Sequence, residues 1–166
     1  SNNTLVPSLL KNFPDKPVIA AGGIANAKGI ASMLSLGAVG VSIGTLFIAS
    51  DEAPVSKEYK EAIISSGRED IVMTSRLSGA PVSIINTPFY KGLKKADEER
   101  KNTKGIDSTA ESKMETMNKG IRMLEKSIKP GNYNNLWVAG KSVETINLIK
   151  PVAKIIETLK DEFQNV

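Results

Sequence analysis

The sequence has 166 residues, with 22 Lys and Arg against 18 Asp and Glu and a formal net charge of +4. It contains no cysteine and no histidine, which excludes disulfides, thiolate chemistry, cysteine zinc sites and the commonest metal ligand and general base. Its basic residues are interleaved with acidic ones and aromatic residues make up only 5%, so no nucleic-acid surface is expected, and no apolar run reaches the roughly 20 residues that span a bilayer.

Thr4 to Phe13 reads as a short helix with Leu5, Leu9 and Leu10 as its apolar face, ended by Pro14. Pro17 to Ala21 is an apolar run closed by Gly22-Gly23, the pattern of a strand buried on both faces. Asn26 is placed to cap a helix whose Ala27, Ile30, Ala31 and Leu34 fall three and four apart, and Gly37 ends it. Val39 to Ile43 is the next strand, stopped by Gly44-Thr45. Two strands joined by one helix of this length should lie parallel with a right-handed crossover. Both glycine turns then lie at the carboxyl end of the sheet, where α/β proteins bind ligands.

Each turn suits phosphate. Gly22 and Gly23 let the backbone approach an anion closely, and the N–H groups that follow open a helix whose dipole favours negative charge. Gly44-Thr45 adds two more N–H groups and a hydroxyl. Two such turns on neighbouring strands can grip one phosphate from both sides. The plainer alternative is two ordinary strand-to-helix turns that bind nothing.

Farther along, Leu46 to Ala49 suggests one helical turn and Asp51 to Pro54 a loop. Ser56 caps a helix running to about Ser65 with Tyr59, Ala62 and Ile63 inward, closed by Gly67. Ile71 to Leu77 and Pro81 to Ile85 suit a hairpin. Lys91 to Lys104 is charged without an apolar stripe and reads as a solvated helix or loop. Thr109 to Ile128 reads as a helix in which Met114, Met117, Ile121, Leu124 and Ile128 form a packing face, broken by Pro130-Gly131. Leu136 to Gly140 reads as a small turn region with Trp137 as a packing residue. Ser142 to Lys150 and Pro151 to Phe163 form one kinked helix or two short ones, with Ile146, Ile149, Val152, Ile156 and Leu159 inward.

AAGGIANAKGI followed by VSIGTLFIAS resembles the nitronate monooxygenase family, once called 2-nitropropane dioxygenases. The resemblance continues through Asp51-Glu52, Tyr59 to Ala62, Thr74 to Arg76, Ser78 to Pro81 and Trp137 to Val143. It implies an α/β chain forming the C-terminal part of an FMN-binding (β/α)8 TIM-type barrel, its two strands matching the last two, plus a mainly helical cap. Residues 1–50 are then the barrel part, 51–135 the cap with its hairpin and helices, and 136–166 the C-terminal helices packing back on the barrel. A complete barrel takes about 250 residues, so the remainder of the barrel, its N-terminal part, is the expected partner; a homodimer is left open.

The same resemblance implies FMN as cofactor, no metal, and phosphate binding by Gly22, Gly23, Ser42, Ile43, Gly44 and Thr45, with Gly23, Gly44 and Thr45 ranked first. Ser42 stands where relatives often carry glutamine, which puts a side-chain contact to the flavin ring in question. Lys141 also stands where many relatives carry glutamine; it faces either an anionic substrate or solvent, solvent being favoured. Arg76 has the same two readings. The family's histidine near the flavin lies upstream, so no catalytic residue is assigned here and the piece alone should be inactive. The expected reaction oxidises an alkyl nitronate, a small-molecule substrate, with O2 to a carbonyl compound and nitrite. The alternatives are an FMN-dependent enoyl-acyl carrier protein reductase and a non-catalytic fragment that mediates assembly. A reducing, cytoplasmic location fits the absence of cysteine.

Overall fold

A computed structural model describes residues 1–75, 80–104, 110–127 and 136–166. Its centre is a strand-helix-strand unit. Strand β1 (Ile19–Ala21) and strand β2 (Gly40–Ser42) pair in parallel, in the register Ile19↔Gly40, Ala20↔Val41, Ala21↔Ser42. Helix α2 (Ala27–Ser35) connects them, its N-terminus capped by the Asn26 side chain, which accepts the Gly29 N–H at 2.8 Å. Its end is a Schellman motif: Gly37 N–H bonds Leu34 O, Ala38 N–H bonds Met33 O, and Gly37 sits at φ +95.

The expectation of a strand buried on both faces does not hold for β1. Ala20 is buried, whereas Ile19 is 64% exposed and Ala21 is exposed as well. Side chains alternate along a strand, so Ala20 and Val41 share the face packed against Val6, Ile24, Met33 and Ala38, while Ile19, Ala21, Gly40 and Ser42 share the other. Among the described residues no element covers that second face, and each strand of the pair has one unpaired edge.

Helix α1 (Asn2–Asn12) packs Val6 and Leu10 on this unit. Leu5, expected inward, is exposed, because the helix turns Val6 to the core instead. In α2 Ala27 is buried as expected, whereas Met33 is buried in place of Leu34.

Helix α3 (Thr45–Ile48) follows β2, and helix α4 (Lys57–Ser65) starts at Ser56, whose hydroxyl accepts the Tyr59 N–H. A 3-10 turn (Arg68–Asp70) precedes the antiparallel hairpin of β3 (Ile71–Thr74) and β4 (Val82–Ile85). Its connection, residues 76–79, lies outside the described residues. Helices α5 (Pro88–Lys104) and α6 (Ala110–Ser127) follow. Residues 105–109 and 128–135, with Thr109, Ile128, Pro130 and Gly131 among them, also lie outside the described residues. Met114 and Ile121 of α6 are exposed, and its packed residues are Met123 and Leu124, set against Ile84, Tyr90 and Leu136.

The segment expected to be a small turn is extended instead. Val138 bridges Ile84 in antiparallel fashion, with Ile85 N–H bonding Trp137 O and Ala139 N–H bonding Ser83 O. Leu136, Trp137 and Ala139 are buried. A 3-10 turn (Lys141–Thr145) follows, and the kinked-helix expectation gives way to that turn plus one helix, α7 (Val152–Phe163), whose buried residue is Ile155 rather than Ile156.

Tyr59, Ile63, Ile71, Ile85, Trp137 and Val143 lie in one apolar cluster that also takes in Ala25 and Ala49. The hairpin, α4 and the 137–146 segment therefore share one core with Ala25 and Ala49, which follow the two glycine turns in the chain.

Candidate functional site

The carboxyl ends of β1 and β2 face the same way because the strands are parallel. Gly22 and Gly23 follow β1 at φ +89 and φ +74, a region that costs an L-residue about 1–2 kcal/mol. Gly44 follows β2. A Cβ built on Gly22, Gly23 or Gly44 would meet no atom within 4 Å. These three positions therefore border open space, which suits a ligand lying against the backbone.

The structure adds a third turn that the sequence pattern did not point to. Gly140 donates its N–H to Thr45 Oγ1 at 3.0 Å. A Cβ on Gly140 would lie 3.6 Å from Thr45 Oγ1, 3.7 Å from Ser142 Oγ and 3.9 Å from Gly23 N. The turns after β1, after β2 and after Ala139 thus converge on one spot. The signal available in the sequence was the Trp137 to Val143 segment, but nothing in it located Gly140 beside Thr45.

The donor set is favourable for an anion. The N–H groups of Gly23, Gly44 and Thr45 donate to no acceptor among the described residues. Thr45 Oγ1 already accepts from Gly140, so its own hydrogen is left to donate. The expected contribution of the α2 terminus is smaller than the sequence suggested. Asn26 occupies the Gly29 N–H, and buried Ile24 and Ala25 separate the glycine pair from the helix. The turn amides, not the helix end, carry the positive field here.

Ser42 and Ile43 divide by face. Ser42 lies on the uncovered side of the sheet with Ile19 and Ala21. Ile43 packs against the cluster that contains Ala20 and Ile24, so only its backbone is available to a ligand at the turn. Lys141 follows Gly140 directly and is exposed. Arg76 lies outside the described residues. Among the described residues no group of three or more Asp, Glu, His or Cys side chains is disposed to hold a metal ion, and no helix is long and apolar enough to cross a membrane.

The core that follows these turns is apolar. Tyr59 is buried, stacks on Trp137 with ring centroids 5.4 Å apart and planes 7° from parallel, and donates its hydroxyl to Val138 O. Burial raises its phenol above the ordinary range. The pair anchors the strand segment from which Gly140 emerges.

The chain is similar to known proteins in both sequence and fold. A family model described as nitronate monooxygenase matches residues 1–162. A probable nitronate monooxygenase from Staphylococcus saprophyticus is 38% identical over 96 residues, covering 58% of this chain and 27% of that protein. The structure of FabK from Thermotoga maritima superimposes with a TM-score of 0.79 at 31% identity, covering 99% of this chain and 49% of that one. A nitroalkane oxidase from Streptomyces ansochromogenes shares the fold, with a TM-score of 0.73 at 22% identity over 99% of this chain and 44% of that one. The chain thus spans about a quarter of the length of the curated relatives it matches and about half of these solved structures.

Proposed function

Because the chain belongs to the nitronate monooxygenase family, we propose that it is the phosphate-anchoring part of an FMN-dependent oxidoreductase that converts an alkyl nitronate and O2 to a carbonyl compound and nitrite. The observation that carries this reading is the convergence of the Gly22-Gly23, Gly44-Thr45 and Gly140 turns around space that a Cβ on the first two turns would enter.

When bound, FMN supplies the electron transfer. This chain supplies the grip. The Gly23, Gly44 and Thr45 N–H groups and the Thr45 hydroxyl donate hydrogen bonds to the phosphate, and the Gly140 N–H holds that hydroxyl in place. Gly22 and the Ile43 backbone shape the two turns. Ser42 shares the uncovered face with Ala21, the side on which the rest of the cofactor is proposed to lie. Lys141 stands at the rim of the same turn.

The open edges of β1 and β2 take the remaining strands of a (β/α)8 barrel whose interior the uncovered face lines, residues 1–50 forming its last part. The hairpin and helices of residues 51–135 serve as the cap, and residues 136–166 close the phosphate end. With no histidine in the chain, the catalytic base comes from those remaining strands.

The test is the visible absorbance of the chain after incubation with FMN, alone and with the N-terminal barrel part. Bound flavin that disappears on Gly44→Asp substitution supports the reading; a completed protein that takes up no FMN overturns it. Nitrite release from an alkyl nitronate then identifies the monooxygenase reaction. Rapid flavin reduction by a nicotinamide with no nitrite release identifies an enoyl reductase instead.

A further inference from the structure

We propose that Asn2 is a positioning residue that aims the Gly23 N–H into the phosphate site, an inference that rests on the phosphate reading above. Asn2 Nδ2 donates to Ala21 O at 2.9 Å and to Gly22 O at 2.8 Å. One side-chain amide thus spends both of its hydrogens on two consecutive peptide carbonyls at the end of β1.

The consequence follows from peptide geometry. The chain has no cis peptide bond among the described residues, and in a trans peptide the C=O and N–H point in opposite directions. Fixing the Gly22 carbonyl toward Asn2 therefore turns the Gly23 N–H away from Asn2. Close to the Gly23 nitrogen lies Gly140, where an added Cβ would stand 3.9 Å from it, with the Thr45 hydroxyl beside Gly140. The glycine pair needs such a clamp. Two consecutive residues without Cβ at positive φ have many alternative backbone states, and a donor that wanders loses its advantage in binding an anion. Asn2 is itself well held. It lies in the first turn of α1, and α1 is docked by Val6 and Leu10 on the core that receives Ala20 and Ile24.

The substitutions that separate this role from a space-filling one are Asn2→Ala and Asn2→Asp. Asn2→Asp keeps the shape but replaces both donors with acceptors facing two carbonyl oxygens. Amide proton and nitrogen shifts of Gly23, Gly44 and Thr45 in the chain completed with its N-terminal barrel part are followed during titration with inorganic phosphate, and then with FMN. In the wild type all three amides respond. In both variants the Gly23 response is lost and the apparent affinity falls about tenfold, the loss expected for one hydrogen bond to a charged group, while Gly44 and Thr45 still titrate. A variant that does not fold is replaced by Asn2→Ser, which retains one donor and should show an intermediate Gly23 response.

The proposal is overturned if Gly23 titrates in the variants as it does in the wild type. It is also overturned if all three responses vanish together, because Asn2 then merely supports the fold. A completed wild-type protein whose amides respond to neither phosphate nor FMN overturns the phosphate reading itself, and this inference with it.

Discussion

The Gly140 N–H donates to the Thr45 hydroxyl at 3.0 Å, joining two turns 95 residues apart in sequence. That bond converts a pair of glycine turns into a three-sided enclosure. It also sets the direction of the Thr45 hydrogen, because the oxygen is already an acceptor. Thr45→Val should therefore weaken FMN binding about tenfold or more and leave the part-buried Gly140 N–H unpartnered, at about 1 kcal/mol of stability. Thr45→Ser should keep most of both. Flavin titration with chemical denaturation checks the two effects separately, and equal FMN affinity in Thr45→Val would remove the hydroxyl from the site.

Gly44 and Gly23 offer a paired test of the open space beside them. Gly44 has an ordinary φ of −101, and an added Cβ meets nothing within 4 Å. Gly44→Ala is accordingly expected to leave stability within about 0.5 kcal/mol of wild type while reducing FMN affinity. Gly23→Ala should reduce affinity too, with a further stability cost of roughly 1–2 kcal/mol from its positive φ. Thermal melts and flavin titration of both variants decide it. Unchanged FMN affinity in Gly44→Ala would mean that no ligand fills that space.

Tyr59 links stability to alkaline pH. Burial disfavours its phenolate and lifts the group above the ordinary value of 10.0. The stabilisation is complete below the unfolded pKa. Above it the unfolded chain binds fewer protons than the folded one, so stability falls as pH rises toward the folded value, at up to about 1.4 kcal/mol per pH unit. Tyr59→Phe should cost about 1–2 kcal/mol near neutrality, since the Val138 carbonyl loses its partner, and should flatten the alkaline decline. Denaturant midpoints from about pH 8 to about pH 11 provide the check, with the single Trp137 stacked on Tyr59 as the fluorescent reporter.

Glu52 holds the start of α7. Its two carboxylate oxygens accept the Val152 N–H at 3.0 and 2.9 Å, where Pro151 offers no side-chain cap. Glu52→Ala should cost about 1 kcal/mol, and Glu52→Gln less, because an amide oxygen still accepts but without the charge. Hydrogen exchange in the first turn of α7 should rise in parallel; unchanged protection there would show that the helix needs no cap.

Local signals in the sequence located most elements. Asn26 and Ser56 cap the helices they were expected to cap, and Gly37 closes α2 at positive φ, because capping depends on a few neighbouring residues. The hairpin of Ile71 and Ile85 pairs antiparallel as its two apolar runs suggested. Inward faces depart from the apolar stripes of the sequence. Met33 replaces Leu34 in the core, Ile155 replaces Ile156, and Met114 and Ile121 are exposed. A stripe of apolar residues defines a face only to within about one position, and what the helix docks against selects the exact side.

By itself the sequence determined the parallel strand-helix-strand unit and the two glycine turns at its carboxyl end, since strand, cap and turn chemistry are local. The tertiary structure alone decided that Gly140 closes the site against Thr45 and that Asn2 clamps the Gly22 carbonyl. It also decided that the Ile19 and Ser42 side of the sheet is uncovered among the described residues. Those relationships join residues far apart along the chain, and they exist only because burying Tyr59, Trp137, Val6 and Ala20 brings their backbones within hydrogen-bonding distance.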